Sequence, residues 1–107
     1  MPSLFFAYTF NPVLIEYDTT KDEANRVKHG LSLAEAAALE WDSAVIARDL
    51  RYDYGEKRFQ ALGLIGDRIH MVVFTMRGDA LRIISVRKAN HREERHYVEQ
   101  TQDCSGN

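Results

Sequence analysis

Five of the chain's fourteen lysines and arginines fall in one run, "LRIISVRKANHREERHYVE", at positions 82, 87, 88, 92 and 95. The run opens as an apolar strand, Leu81 to Val86, and closes as an arginine-rich, helix-like stretch in which only Tyr97 and Val98 are apolar. Arg87 and Lys88 stand where strand gives way to helix. A change of backbone direction there can aim both side chains, together with the amides of a helix N-terminus, at one anion. Arginine offers a planar two-donor fork to phosphate and lysine a point charge. Strict strand alternation puts Leu81, Ile83, Ser85 and Arg87 on one face and Arg82, Ile84, Val86 and Lys88 on the other. Arg82 then reads either as the charged end of a core strand or as a further phosphate ligand. On the helix, Arg92 and His96 share one face and His91 and Arg95 another. Charge for phosphate, an imidazole that titrates near neutrality and the Tyr97 ring together suit RNA handling. The same residues also suit solvated Glu–Arg pairs, each worth about a few tenths of a kcal/mol.

A second candidate is "GEKRF", where Glu56 and Arg58 lie two apart on one side of a strand start. A carboxylate beside an arginine is either a base held next to a charge stabiliser or a plain ion pair. The four histidines, at 29, 70, 91 and 96, lack the Cys or carboxylate spacing of a zinc site, and no metal or other cofactor is expected. No glycine-rich phosphate loop, nucleophile elbow or Cys–His pair appears.

The elements that must position these groups are punctuated by caps and turns. Val13 to Tyr17 reads as a short strand. Thr20 and Glu23 have capping-box spacing and predict a helix that stops at Gly30. Ser32 and Glu35 repeat the box and predict a second helix through "LAEAAALEW". From Val45 onward, "VIARD", "RFQALGLI", "RIHMVVFTM" and "ALRIISVR" alternate with Gly- and Asp-containing turns and predict an antiparallel meander. Asn90 and Glu93 form a third cap for the final helix. The expected class is α+β, with two N-terminal helices, an antiparallel sheet of about four to five strands and a C-terminal helix.

Bulk properties agree with one small domain. The 107 residues carry a formal net charge of −2, but residues 1–56 hold five Lys/Arg against ten Asp/Glu and residues 57–107 nine against six. A basic half on an acidic chain points to a local anion-binding face. Cys104 stands alone and no intrachain disulfide is possible, which fits a reducing, cytoplasmic setting. No run is apolar enough to span a membrane. Residues 1–12 read as an extension, either an added strand or a loose segment, 13–100 as the domain and 101–107 as a flexible tail.

Taken together, Tyr17-Asp18…Lys21, Asn25…Lys28-His29-Gly30…Ser32, Gly55-Glu56…Arg58 and Arg82 to Ala89 followed by Glu94-Arg95…Tyr97 strongly resemble the BrnT family of bacterial type II toxins. The likeness spans residues 14–99. It departs from the family pattern in the first dozen residues, at Glu16 and at His91. The resemblance implies a compact RelE-like fold and RNA cleavage that blocks translation. It also implies neutralisation by a ribbon–helix–helix antitoxin of BrnA type, with operator DNA bound through that antitoxin and a toxin–antitoxin heterotetramer. For a metal-free ribonuclease it nominates Arg87 and Arg58 for the phosphate, assisted by Lys88 or Arg82. His29 or Glu56 would be the base, and Tyr97 or His96 an acid or stacking group. Lys28, Arg92, Arg95 and His96 would bind RNA. The competing reading is a non-catalytic module that only binds its partner and DNA.

Overall fold

The computed structural model describes residues 4–8, 14–51 and 55–105, with backbone alone at 5–8 and 103–105. Residues 1–3 and 9–12 of the expected extension, Val13 at the start of the expected first strand, 52–54 of the loop after "VIARD" and 106–107 of the expected tail lie outside the described residues. Six strands form one sheet: β1 (Leu4–Tyr8), β2 (Leu14–Asp18), β3 (Val45–Asp49), β4 (Arg58–Ile65), β5 (Arg68–Arg77) and β6 (Ala80–Lys88). Their order is β1-β2-β6-β5-β4-β3. Strands β3 to β6 are the expected antiparallel meander, with Gly66 and Gly78 taking the positive φ that its tight turns require. Two features exceed the expectation of four to five antiparallel strands. Strand β1 pairs with β2 along its whole length, and β2 runs parallel to β6.

Helix α1 (Thr19–His29) starts one cap earlier than its sequence suggests. Asp18, not Thr20, is the N-cap, and its carboxylate accepts the amides of Thr20 and Lys21. Aspartate adds negative charge at the positive end of the helix dipole, an advantage the Thr hydroxyl lacks. The helix ends at Gly30, whose left-handed φ of 74° closes the cap.

The expected second α-helix is instead a 3₁₀ segment, Leu33–Ala38, followed by a 3₁₀ turn at Trp41–Ser43. The reason lies in the spacing of its buried side chains. Leu33, Ala36 and Leu39 are buried at three-residue intervals, the period of a 3₁₀ helix, whereas an α-helix would swing the third round its axis. Ser32 still caps the segment through Ala34 N–H. The segment lies close on β4, where a Cβ at Gly63 would come within 3.2 Å of the Leu39 side chain.

One face of the sheet packs Ile15, Tyr17, Ala61, Val72, Phe74, Leu81, Ile83 and Val86 against Leu33, Ala36 and Leu39. Helix α2 (His91–Ser105) brings Tyr97 into a second cluster with Leu62, Met71 and Ala89. The expected Asn90–Glu93 capping box is present, with Glu93 N–H to Asn90 Oδ1 at 2.9 Å and Asn90 N–H to Glu93 Oε1 at 3.0 Å. The helix continues to Ser105, into the stretch assigned from sequence to a tail.

Strand β2 pairs with β6 only at Ile15–Leu81 and Glu16–Arg82, so the later half of β6 has no strand on that side. Asn25 fills the gap. Its buried carboxamide donates to Val86 O at 2.8 Å and accepts from Val86 N–H at 3.3 Å, and also donates to Leu31 O at 2.8 Å. One side chain thus does for Val86 what a neighbouring strand would do, and fastens α1 to β6. Asn25→Ala would leave these buried groups unpaired, at a cost on the order of 3–5 kcal/mol. At about 4–8 °C per kcal/mol for a domain of this size, thermal unfolding should fall by roughly 10–20 °C or more. A shift of only a few degrees would show that water replaces the amide.

Candidate functional site

A backbone irregularity decides which side chains meet. Along the β5–β6 ladder Val73 faces Ser85, but Phe74 faces Ile83, so Ile84 has no partner. This β-bulge reverses the alternation of β6 part-way along. Leu81, Ile83 and Val86 therefore all enter the core, while Ile84, Ser85 and Arg87 all reach a cavity on the opposite face. Strict alternation, which grouped Val86 with Arg82, fails at this bulge.

The cavity encloses about 270 Å³. Its floor follows from strand register. Directly paired residues share a face, which arranges three rows across the sheet. The first runs Asp49–Arg58–Thr75–Arg82–Glu16, the second Ala47–Gln60–Val73–Ser85 and the third Val45–Leu62–Met71–Arg87. The last turn of α1 supplies Lys28 and His29, three and four residues after Asn25. Arg51, just past the end of β3, completes the lining. Among the described residues, four cations, Lys28, Arg51, Arg58 and Arg87, thus line one cavity to which a single carboxylate, Asp49, contributes.

The arginines are held, not loose. Glu93 grips Arg87 end-on, with both Nη1 and Nη2 donating at 2.8 Å, and Nη1 also donates to Lys88 O at 3.3 Å. A guanidinium has five N–H donors. Nε–H and the second proton of Nη2 therefore remain, a side-on fork with no protein partner among the described residues. Glu93 fixes Arg87 and leaves it a complete pair of donors for a phosphate. Arg51 is also bound through two donors, but side-on: its Nε and Nη2 donate to the two Asp49 carboxylate oxygens at 2.9 and 2.8 Å, and the Asp49 side chain is only 1% exposed.

Electrostatics at the cavity favour a neutral imidazole. His29 is half-buried, and its pKa is lowered from the usual 6.5, first by burial and then by the charges of Lys28 and Arg87. At neutral pH it is an acceptor able to take a proton. The Glu93 carboxyl is held below its usual value chiefly by the hydrogen bond from Arg87, with the Asn90 amide adding to it, against an opposing contribution from burial.

The remaining residues singled out from the sequence lie elsewhere. Glu56 is outside the cavity lining and faces Arg58 at 3.6 Å and Arg77 at 4.0 Å, as an ion pair. Arg82 is bound to Glu16 at 2.8 Å in the first row. Lys88 is exposed at the end of β6, and Arg92, Arg95 and His96 are exposed on α2. Tyr97 is a core residue, 7% exposed, that clusters with Leu62, Met71 and Ala89 and does not line the cavity. Sequence reasoning missed Arg51, Asp49, Gln60 and Ser85 as lining residues. An Asp-x-Arg pair at the end of a strand was the available signal for the first two; nothing local marked the others. Among the described residues, no three His, Cys, Asp or Glu side chains gather as metal ligands, and no helix is long and apolar enough to cross a membrane.

The Arg87–Glu93 pair links stability to acid. Because the folded Glu93 pKa lies below the unfolded value near 4.5, its contribution is complete above that value and is lost as pH falls through the folded pKa. Thermal unfolding of wild type and Glu93→Gln, followed from pH 6 downwards, should show the larger acid-induced loss in wild type. Parallel curves would exclude the pair as a source of acid sensitivity.

A family model described as the ribonuclease toxin, BrnT, of a type II toxin–antitoxin system matches residues 17–93. No curated protein matches the chain.

Proposed function

Because the chain belongs to the BrnT family of ribonuclease toxins of type II toxin–antitoxin systems, we propose that its cavity is the active site of a metal-independent endoribonuclease whose cuts block translation. The observation that supports this most is the convergence of Lys28, Arg51, Arg58 and Arg87 around His29. RNA carries its own nucleophile, the 2′-hydroxyl. His29 takes the 2′ proton as that oxygen attacks the adjacent phosphorus. The P–O5′ bond breaks, leaving a 2′,3′-cyclic phosphate on one fragment, and the departing 5′-oxygen takes a proton from solvent. Charge builds on the phosphorane oxygens, where the Arg87 side-on fork and the neighbouring cations stabilise it. His29 serves better as base than Glu56, because it lines the cavity and is neutral at pH 7, whereas Glu56 is engaged with two arginines outside it. The 3₁₀ segment packed on one face of the sheet, α1 against the open edge of β6 and the site on the other face are read as a RelE-like architecture.

The partner in this reading is a ribbon–helix–helix antitoxin of BrnA type that assembles with the toxin as a heterotetramer and supplies the operator contacts for repression of their own operon. The exposed Arg92, Arg95 and His96 on α2 support capture by an acidic segment, which would weaken as salt rises. Antitoxin and RNA would then exclude one another. Saturating antitoxin should abolish RNA cleavage, and a fully bound complex that still cuts would refute occlusion.

Cleavage of single-stranded RNA should survive EDTA and leave 5′-hydroxyl ends. His29→Ala should lower the rate about 10²–10⁴-fold. Wild-type rate should rise with pH through the depressed His29 pKa, below 6.5, and be level by neutrality. Arg87→Ala should slow cleavage about 10²–10³-fold and cost roughly 1–3 kcal/mol of stability through the lost Glu93 pair. RNA binding without cutting by the folded wild-type protein would favour the non-catalytic alternative. Activity that is abolished by chelation and restored by Mg²⁺ would sink the metal-independent mechanism.

A further inference from the structure

The nuclease reading uses the cations and the imidazole of the cavity but gives no task to its middle row. Gln60 and Ser85 flank Val73 across three neighbouring strands and all three line the cavity. Gln60 and Ser85 are half-buried, and neither has a hydrogen-bond partner among the described residues. Polar side chains placed this way are satisfied by one another, by the backbone, by water or by a ligand that displaces that water. Here the two lie two strand spacings apart, roughly 9–10 Å, too far to reach each other directly. Between them the floor is apolar. Val73 forms its centre, buried Met71 one side, and the bulge adds Ile84 on the same face as Ser85. Cations stand on both sides along the strands: Arg58 is two residues from Gln60 on β4 and Arg87 two residues from Ser85 on β6, each roughly 7 Å away.

A ligand that fits must be flat and apolar on one face, carry donors and acceptors on its edge, and have negative charge at both ends. A nucleotide within an RNA strand meets each condition. We infer that Gln60 and Ser85 form a base-reading subsite for one nucleotide of the RNA. Its ring lies on Val73 and Ile84 while the phosphates on either side meet Arg58 and Arg87. The Gln60 amide supplies a donor and an acceptor in one plane, the Ser85 hydroxyl either role. A glutamine amide that pairs with a base edge through two bonds discriminates among bases, while the phosphate contacts only fix register. The β-bulge is what makes the subsite: without it Ser85 would face the core beside Ile83.

This inference rests on the RNA-cleaving reading for its ligand, and its test does not require cleavage. The protein, with its Gln60 side-chain amide assigned by NMR, is titrated with each of the four ribonucleoside 3′-monophosphates. One of the four should bind about tenfold more tightly than the weakest and should shift the Gln60 amide resonances. In Gln60→Leu, which keeps the volume, and in Ser85→Ala, the binding that remains should no longer distinguish the bases. The same variants are then given RNA of random sequence and the cut sites read. Base preference next to the cut should flatten by about the same factor, with cutting retained. Equal binding of all four nucleotides to wild type, or an unchanged preference in both folded variants, overturns the subsite. Selective nucleotide binding without any cutting overturns the nuclease reading and leaves the subsite standing. Cutting whose preference the variants do not alter does the reverse.

Discussion

The structure depends on the carboxamide of Asn25. A sheet of this order leaves the edge of β6 open wherever its pairing with β2 stops, and that pairing holds at two positions, Ile15–Leu81 and Glu16–Arg82. Buried backbone groups without partners are costly. A β2 pairing continued four residues further could have met Val86, but would have covered the end of the sheet. A helix that offers one amide satisfies the same donor and acceptor while leaving room for the rest of its last turn. Lys28 and His29 follow on that turn, so the contact that closes the sheet also sets their distance from Arg87, the residue after Val86. Packing and site geometry are consequences of one side chain.

The second constraint is the extra residue at Ile84. A sheet covered on both faces must send apolar groups to each, and a nine-residue strand in perfect alternation would assign its residues rigidly. The bulge lets β6 contribute to the core before and after it, at Ile83 and Val86, yet deliver Ser85 and Arg87 to the other face. The carboxylates then hold the cations in place. Asp49 binds Arg51, and Glu93 binds Arg87 while also capping α2. Pre-placed guanidiniums lose little freedom when an anion arrives, which is the property that electrostatic stabilisation of a transition state requires.

What the sequence disclosed followed from how local each determinant is. The meander was legible because its turns carry glycine and its strands carry β-branched residues. The Asn90–Glu93 box was legible because both partners lie within one turn. Asp18 was passed over for Thr20 since either can cap, and only the position at which β2 ends decides. The 3₁₀ segment was misjudged because its alanines fit both helical periods; Leu33, Ala36 and Leu39 show the shorter one only once the sheet beneath them is known. Arg58 and Arg87 stand out by residue type, Lys28 and His29 through the family resemblance, and the four meet at the cavity. Tyr97 was nominated by type too, but its ring serves the core. Gln60 and Ser85 could not be seen, since their meeting depends on the register of three strands and on a bulge with no sequence signature. Arg51 and Asp49 depended on where β3 ends.

The bond between Asn25 and Val86 joins residues 61 apart in the chain, and the β2–β6 pair is as distant. The cavity accordingly has no local precursor. During synthesis, α1 leaves the ribosome long before the strand it must meet, and its lysine and histidine then belong to a helix with nothing beside it. Contacts of such separation form late and slowly, after the meander whose turns are short. The cationic cavity is therefore the last part of the fold to exist, complete only when the final strand has emerged and paired.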